Sequence, residues 1–255
     1  MDFLKRLVYR MPDAWQRCLR RWHYSKKLAS AQIGDEAELG AVDLLVEDGQ
    51  TVMDIGANFG LFTRFLSESV GATGKVFSFE PTKDMFEVLS HNVQKFGFSN
   101  TECHHLALSD RSGEAEIYIP KRPDGTLNHY EACLRPVEAG SERIAEKITN
   151  RVEIQTVDGF CDKAGIKEVD FIKCDVEGHE LSVLRGAEAL LRRCHPTILL
   201  EVNEPLTDEA HGTEVRELVE SYGYTFHVYE DGKVCPWSPG DVRVNYLLLP
   251  AEEAS

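Results

Sequence analysis

The chain's 255 residues carry 43 acidic against 28 basic side chains, a formal charge of −15, with 42% hydrophobic content and seven cysteines. That length suits one α/β domain with appendages. The acid excess argues against a nucleic-acid substrate, which needs clustered Lys and Arg, and no apolar run reaches the ~18 residues of a membrane span.

The cysteines are odd in number and include no C-x-x-C pair, which favours reduced thiols in a cytoplasm-like compartment over a zinc knuckle or a disulfide scaffold. The charge is unevenly spread. Residues 1–27 hold eight bases and two acids, a local +6 that leaves −21 on the rest. The bases alternate with Phe3, Leu4, Leu7, Val8, Tyr9, Trp15, Leu19 and Trp22, and Pro12 divides the segment into two short helical pieces. No h-region of a secretory signal is present. Two readings stand for this segment: a basic, aromatic anchor on an anionic membrane, or a helix packed on the acidic body or a second subunit.

A helix is expected over 35–46, ended by the turn Glu47-Asp48-Gly49-Gln50. Thr51 to Ile55 reads as a buried parallel strand. After Gly56-Ala57-Asn58-Phe59-Gly60 the apolar period switches to helical, with Leu61, Phe62, Phe65, Leu66 and Val70 on one side. A strand, a Gly-rich turn and a helix in that order place main-chain N–H groups and a helix N-terminus at the carboxyl edge of a sheet. A second strand, 74–80, ends in Glu80, an acid about 20 residues beyond the turn and suited to ribose hydroxyls. Pro81 to Asp84 opens a helix that Gly97 terminates.

Residues 101–108 read as a third strand, and the alternation in 114–119 and 151–157 predicts two half-exposed strands able to pair. Between them, 120–150 has no clean period, with a short helix expected at 141–148; His129 and Tyr130 lie here as candidate substrate contacts. Val169 to Cys174 is a fourth core strand that runs into Asp175-Val176-Glu177-Gly178-His179-Glu180 and a helix. A fifth strand spans Pro196 to Val202, followed by a helix over 209–222 and strands near 224–229 and 242–249, the last returning antiparallel. The alternation predicts a mostly parallel sheet with helices on both faces and the ligand outside the carboxyl strand ends. Asp54, Glu80, Asp110, Asp175, Glu177 and Glu201 all fall at that edge.

A carboxylate such as Asp54 before the turn repels a pyrophosphate and suits an amine or a sulfonium. The Coulomb sign therefore favours S-adenosyl-L-methionine over a nicotinamide dinucleotide. In four ordered blocks, the chain resembles the FkbM-type family of S-adenosylmethionine-dependent methyltransferases. These are Asp54 to Gly60, Phe79-Glu80-Pro81, Ala107 to Asp110, and Lys173 to Glu180 with Leu184-Arg185-Gly186-Ala187. The resemblance implies a seven-stranded class I methyltransferase fold with the last strand antiparallel. It also implies O-methylation of hydroxyls on sugars, polyketides or similar small molecules and glycans. On this reading residues 1–46 form a helical extension and 47–255 a methyltransferase domain, with 120–150 as a lid-like insertion.

Carried over by position, Asp54, Gly56, Ala57, Asn58, Phe59 and Gly60 line the methionine end of the cofactor, Glu80 with Pro81 holds the ribose, and Ala107 and Leu108 bound the adenine. Asp175 stands where the methyl donor should point. Alcohol methylation needs a base for the hydroxyl proton, and Asp175, Glu177, His179 and Glu180 are the catalytic candidates. Structural readings stand beside these: Glu180 and His179 charging a helix start, Glu177 holding a turn, and Lys173 paired with a carboxylate. The acids resemble an oxygen-ligand Mg²⁺ set, but no metal is assigned. The expected partners are a small-molecule or glycan acceptor, a membrane surface at residues 1–27, and a second copy of the chain. The alternatives to O-methylation are a catalytically silent cofactor-binding module and a protein methyltransferase.

Overall fold

Nearly every run of β-branched and aromatic residues becomes a strand in the computed structural model, which describes residues 11–120, 132, 134, 147–207 and 210–251. Strands β1 (Thr51–Ile55), β2 (Lys75–Phe79), β3 (Thr101–His104), β7 (Phe171–Cys174) and β8 (Thr197–Glu201) pair in parallel, with β1 at the centre between β2 and β7. Both faces of β1, β2, β7 and β8 are largely buried, as a parallel sheet covered on both sides requires, whereas β3 is a half-exposed edge. The final strand β11 (Asn245–Pro250) inserts antiparallel between β8 and β9 (Tyr224–Glu230), as expected.

The strand count differs from seven. An eighth strand, β10 (Lys233–Pro236), folds back on β9. Asp231 and Gly232 between them have φ of 51° and 76°, the left-handed pair that lets a two-residue turn follow strand twist.

The expected third strand is also broken. After His104 the chain leaves the main sheet, and β4 (Ala107–Leu108) joins a second sheet of three strands. There β5 (Gly113–Pro120) pairs antiparallel with β6 (Lys147–Gln155), the pairing the alternation predicted. Lys147 and Ile148 are therefore strand rather than the end of a short helix, and residues 141–146 lie outside the described residues.

Eight helices flank the sheets among the described residues: α1 (Asp13–Ser30), α2 (Ala37–Leu45), α3 (Leu61–Ser69), α4 (Lys83–Phe96), α5 (Val157–Ala164), α6 (Glu180–Arg185), α7 (Glu188–Cys194) and α8 (Ala210–Ser221). Helix α5, unread in the sequence, begins at Thr156, whose hydroxyl accepts the Gly159 N–H. The helix after β7 is split near Gly186, where a Cβ would lie 2.0 Å from the Ser109 carbonyl oxygen.

One face of the sheet packs Met53, Ile55, Phe77, Phe79, Ile172 and Leu200 against α5 to α8. The other packs Val52, Phe171, Leu199 and Leu247 against Leu66, Val88 and the N-terminal residues Leu28, Leu39 and Val42. Helices α1 and α2 thus complete this side of the core. Arg64 fixes the end of α1, its Nη1 donating to the carbonyls of Leu28 at 2.6 Å and Ala31 at 3.2 Å. The Leu28 carbonyl also accepts the Ala31 N–H at 3.3 Å, so Arg64 adds a charged donor where the helix ends.

Candidate active site

At the carboxyl end of β1 the chain turns through Gly56 (φ 83°) and Asn58 (φ 50°) to Gly60 (φ 94°). Glycine is required at 56 for two reasons: the left-handed backbone, and a Cβ that would stand 1.8 Å from the Asp175 carbonyl oxygen. The turn is tied to β2 by N–H donations from Gly56 and Ala57 to the Phe79 carbonyl at 3.0 and 2.9 Å. Asparagine tolerates the left-handed region better than most residues, which explains an amide where a dinucleotide site has its middle glycine.

Glu80 is buried beside this turn. Its Oε2 accepts the Asn58 N–H at 2.8 Å, and its Oε1 accepts the Thr82 N–H at 2.8 Å and hydroxyl at 2.6 Å. Burial pushes the Glu80 carboxyl up, and the Thr82 and Asn58 donors pull it back. A carboxylate offers about four acceptor positions, so a pre-oriented acceptor remains for a ligand hydroxyl.

Isolated behind the turn, Asp54 is fully buried. Its Oδ2 accepts the Thr63 hydroxyl at 2.5 Å, and Lys173 Nζ lies 4.0 Å from its Oδ1. Burial raises the Asp54 carboxyl, against the pull of Lys173.

Lys173, also buried, donates to the Gly56 carbonyl at 3.3 Å and to Asp175 Oδ2 at 3.1 Å, and its Nζ sits 5.1 Å from the centre of the Phe62 ring. Burial works against this ammonium, but Asp175 and Asp54 outweigh it and hold the amine above its ordinary range. The pairing read for Lys173 from the sequence is therefore the geometry found, with two carboxylates rather than one.

A cleft of about 640 Å³, counting its open mouth, runs along this edge. Of the sequence-derived cofactor residues, Gly56, Asn58, Glu80, Pro81, Ala107, Leu108 and Asp175 form its wall. Asp54, Ala57, Phe59 and Gly60 stand outside that wall. Phe59 turns away to stack on Tyr24 of α1, with ring centres 5.0 Å apart, and Gly60 starts α3 with its missing Cβ 2.9 Å from Leu89. Ile117 of the second sheet closes the far side, with Ala132 and Leu134 packed against that sheet. His129 and Tyr130 lie outside the described residues.

The four catalytic candidates separate. Asp175 and Glu177 line the cleft, and Glu177 sits at φ 52°, a strained value for a residue with a Cβ. His179 also reaches it, its Nε2 2.9 Å from the Ser109 hydroxyl. Glu180 is almost wholly buried, accepting the Gly178 N–H at 2.8 Å and facing His211 Nε2 at 3.3 Å. It is held inside the protein, away from the cleft. His104 packs among Phe77, Phe79 and Phe160, and His105 stacks on Phe86.

Glu201, at the end of β8, joins Asp175 and Glu177: each offers a carboxylate oxygen within 4.8 Å of the other two. Burial, then the neighbouring Asp175 charge, raise the Glu201 carboxyl to about 7. Three oxygen donors of this kind suit a hard divalent cation, but Lys173 already supplies positive charge beside Asp175.

Beyond them lies a second, smaller cavity lined by Glu36, Glu38, Phe62, Lys173, Asp175, Leu199, Glu201 and Asn245. Asn245 donates to Glu38 Oε1 at 2.8 Å, which joins α2 to β11 across that cavity. Glu36 and Glu38 carried no local signal in the sequence; Glu201 carried the same one as Asp54 and Glu80, an acid ending an apolar strand.

These groups fit the S-adenosylmethionine read from the sequence. Among the described residues nothing donates to the buried Asn58 Oδ1, which borders the cleft as an acceptor for an ammonium or hydroxyl. Glu80 is placed for ribose hydroxyls, the apolar Leu106, Leu108 and Ile117 for a flat base, and Asp175 gives an anionic end to the cleft.

A model of the methyltransferase FkbM domain matches residues 54–226, from the β1 acid into β9. "Methyltransferase 1" of Beauveria bassiana is 24% identical over 210 residues, covering 79% of this chain and 81% of that protein. The "31-O-demethyl-FK506 methyltransferase FkbM" of Streptomyces tacrolimicus is 28% identical over 204 residues, 72% of this chain and 75% of that protein. The "2-O-methyltransferase NoeI" of Sinorhizobium fredii is 25% identical over 157 residues, 60% of this chain and 63% of that protein. A domain match over most of the chain, on the residues that build the cleft, shows that the protein belongs to the FkbM methyltransferase family and is an S-adenosyl-L-methionine-dependent methyltransferase.

Proposed function

We propose that this enzyme methylates a hydroxyl group of a small molecule or glycan, with Glu201 as the base and Asp175 positioned by Lys173 at the junction of donor and acceptor. The observation that carries this reading is that Asp175, alone among the described residues, lines both the cofactor cleft and the second cavity. The bound cofactor supplies an electrophilic methyl on a positive sulfur.

The chain's own residues do the rest. Glu80 and Asn58 fix the nucleoside at one end of the cleft, and Lys173 orients Asp175 through its 3.1 Å hydrogen bond. Glu201 accepts the proton of an acceptor hydroxyl seated in the second cavity. A carboxyl held near 7 suits that task, because a base works best with its pKa near the operating pH. Methylation of an amine already in its free form would not need it. Holding the hydroxyl in line with the donor supplies further acceleration. Two of the relatives carry names that specify O-methylation or a demethylated oxygen position, which supports the same atom type here.

The test is Glu201→Gln and Asp175→Asn, assayed against sugars, uronic acids and polyol macrocycles, with S-adenosylhomocysteine affinity measured in parallel. Glu201→Gln should lower kcat by about 10²–10⁴-fold with the affinity kept within about threefold, and the product should be a methyl ether. A methyl group found on nitrogen, carbon or sulfur, or full turnover by Glu201→Gln, overturns the assignment.

A further inference from the structure

Helix α1 has two dissimilar sides. Its inner side is engaged with the body: Leu28 and Ser25 are buried, the Ser25 hydroxyl donates to Asn92 at 2.6 Å, and Arg20 and Arg21 pair with Asp84 and Glu87 of α4 at 2.6 and 3.3 Å. On the opposite side Trp15, Leu19 and Trp22 follow one another at i, i+4 and i+7, the spacing of one helical stripe. They are 65%, 38% and 61% exposed. Exposed Cys18 falls within the same stripe. Lys26, four residues beyond Trp22, extends it, with its ammonium 5.5 Å from the indole centre. Both exposed tryptophans among the described residues therefore lie on one helix side, next to bases.

We propose that this stripe docks on an anionic lipid bilayer, with α1 lying in the headgroup plane and the indoles at the interface. Charge complementarity selects this occupant. Helix α1 carries five bases against one acid, a local +4 that leaves −19 on the rest of the chain, so an anionic surface attracts this helix and repels the remainder, which fixes one orientation. A two-fold pairing of copies through the same stripe would instead bring two basic helices together. Indole and Lys or Arg side by side is also the composition of interfacial belts, where an amphipathic ring sits at headgroup level and each base is worth about fivefold in binding. Salt bridges to Asp84 and Glu87 already use Arg20 and Arg21, leaving the exposed Arg17 and Lys26 for the surface.

The experiment uses the full chain with extruded vesicles of phosphatidylcholine alone or with about a third phosphatidylglycerol. Binding is read by sedimentation and by the blue shift of tryptophan emission. The protein should bind the anionic vesicles, with binding to neutral ones at least about tenfold weaker, and added salt should weaken it. Trp15→Ala with Trp22→Ala should lower binding more than tenfold and Lys26→Ala about fivefold, with unchanged melting temperature because the positions are exposed. No vesicle binding by the parent overturns the proposal, as does undiminished binding by the double variant. So does a dimer in sedimentation velocity that the double variant converts to monomer, since the stripe would then belong to a second copy.

Discussion

Replacing Lys173 with methionine tests the electrostatics of the site most directly. The substitution keeps most of the apolar stem beside Phe62 and removes the one cation between Asp54 and Asp175. Asp175, partly exposed, can turn to water; Asp54, with no exposed surface, cannot. Asp54 keeps the Thr63 hydroxyl on Oδ2, but Oδ1 faces an apolar interior with no counter-charge. Removing one partner of a buried ion pair costs about 3–5 kcal/mol, because an uncompensated charge stays behind.

In a protein of this length each kcal/mol moves the melting temperature by roughly 2–4 °C, so a fall of about 6–20 °C is expected. Urea and thermal denaturation of Lys173→Met, Asp54→Asn and the double variant measure it. If Lys173 compensates Asp54, the double variant is more stable than the sum of the two single losses by about 0.5–3 kcal/mol. Deprotonation of Asp54 in Lys173→Met should make its stability fall as pH rises. A folded-state carboxyl held above its unfolded value binds a proton that the unfolded chain releases in that window. A loss under about 1 kcal/mol, or strictly additive losses, would refute the claim that Lys173 holds the centre of the site together.

Three further outcomes follow from the same geometry. Gly56→Ala, which drives a Cβ into the Asp175 carbonyl from a left-handed backbone, should lower S-adenosylhomocysteine affinity more than tenfold by calorimetry; unchanged affinity would remove Gly56 from the cleft's design. Glu80→Gln replaces a carboxylate that accepts three donors, and at about 1.5–3 kcal/mol for a charge-assisted bond it should weaken the same ligand roughly 10–150-fold in a titration. Glu201 releases its proton near 7, so kcat/KM should rise with pH through about 7. Between the ordinary glutamate value and about 7 the folded protein holds a proton the unfolded chain lacks, so stability falls with rising pH there, a slope that Glu201→Gln should remove in melting curves.

The parallel core was legible because each strand states itself locally: Thr51–Ile55, Lys75–Phe79 and Thr197–Glu201 are short apolar runs closed by glycine, proline or an acid. What escaped reading depends on contacts or on short turns. The strand 101–108 looked continuous, yet Ala107 and Leu108 pair with Ile154 and Gln155 of another sheet, so the break after His104 is made by partners about 50 residues away. The added strand Lys233–Pro236 had its signal in Asp231-Gly232, a two-residue hairpin turn between alternating residues. Residues 157–164 carry the cap Thr156 and the stop Gly165 of a short helix, but their apolar stripe of Val157, Phe160 and Cys161 is only one turn long.

The two halves of the site differ in the same way, and this explains why the cofactor was easier to read than the acceptor. The cofactor side is assembled from short blocks, 55–58, 79–82, 106–108 and 175–179, each at a strand end where backbone geometry alone places it. The proposed acceptor side joins Glu36 and Glu38 from the N-terminal segment to Asn245 of the last strand, and the Asn245–Glu38 hydrogen bond spans 207 positions. No periodicity or spacing encodes such a pair. The segment carrying Glu36 and Glu38 is locked to the body by Arg64 on the carbonyls of Leu28 and Ala31 and by Leu28 and Leu39 in the core. Changing Glu36 or Glu38 therefore changes the cavity next to Glu201, whereas neither residue lines the cleft at Glu80. Acceptor choice should consequently vary with residues 28–38, and cofactor affinity should not.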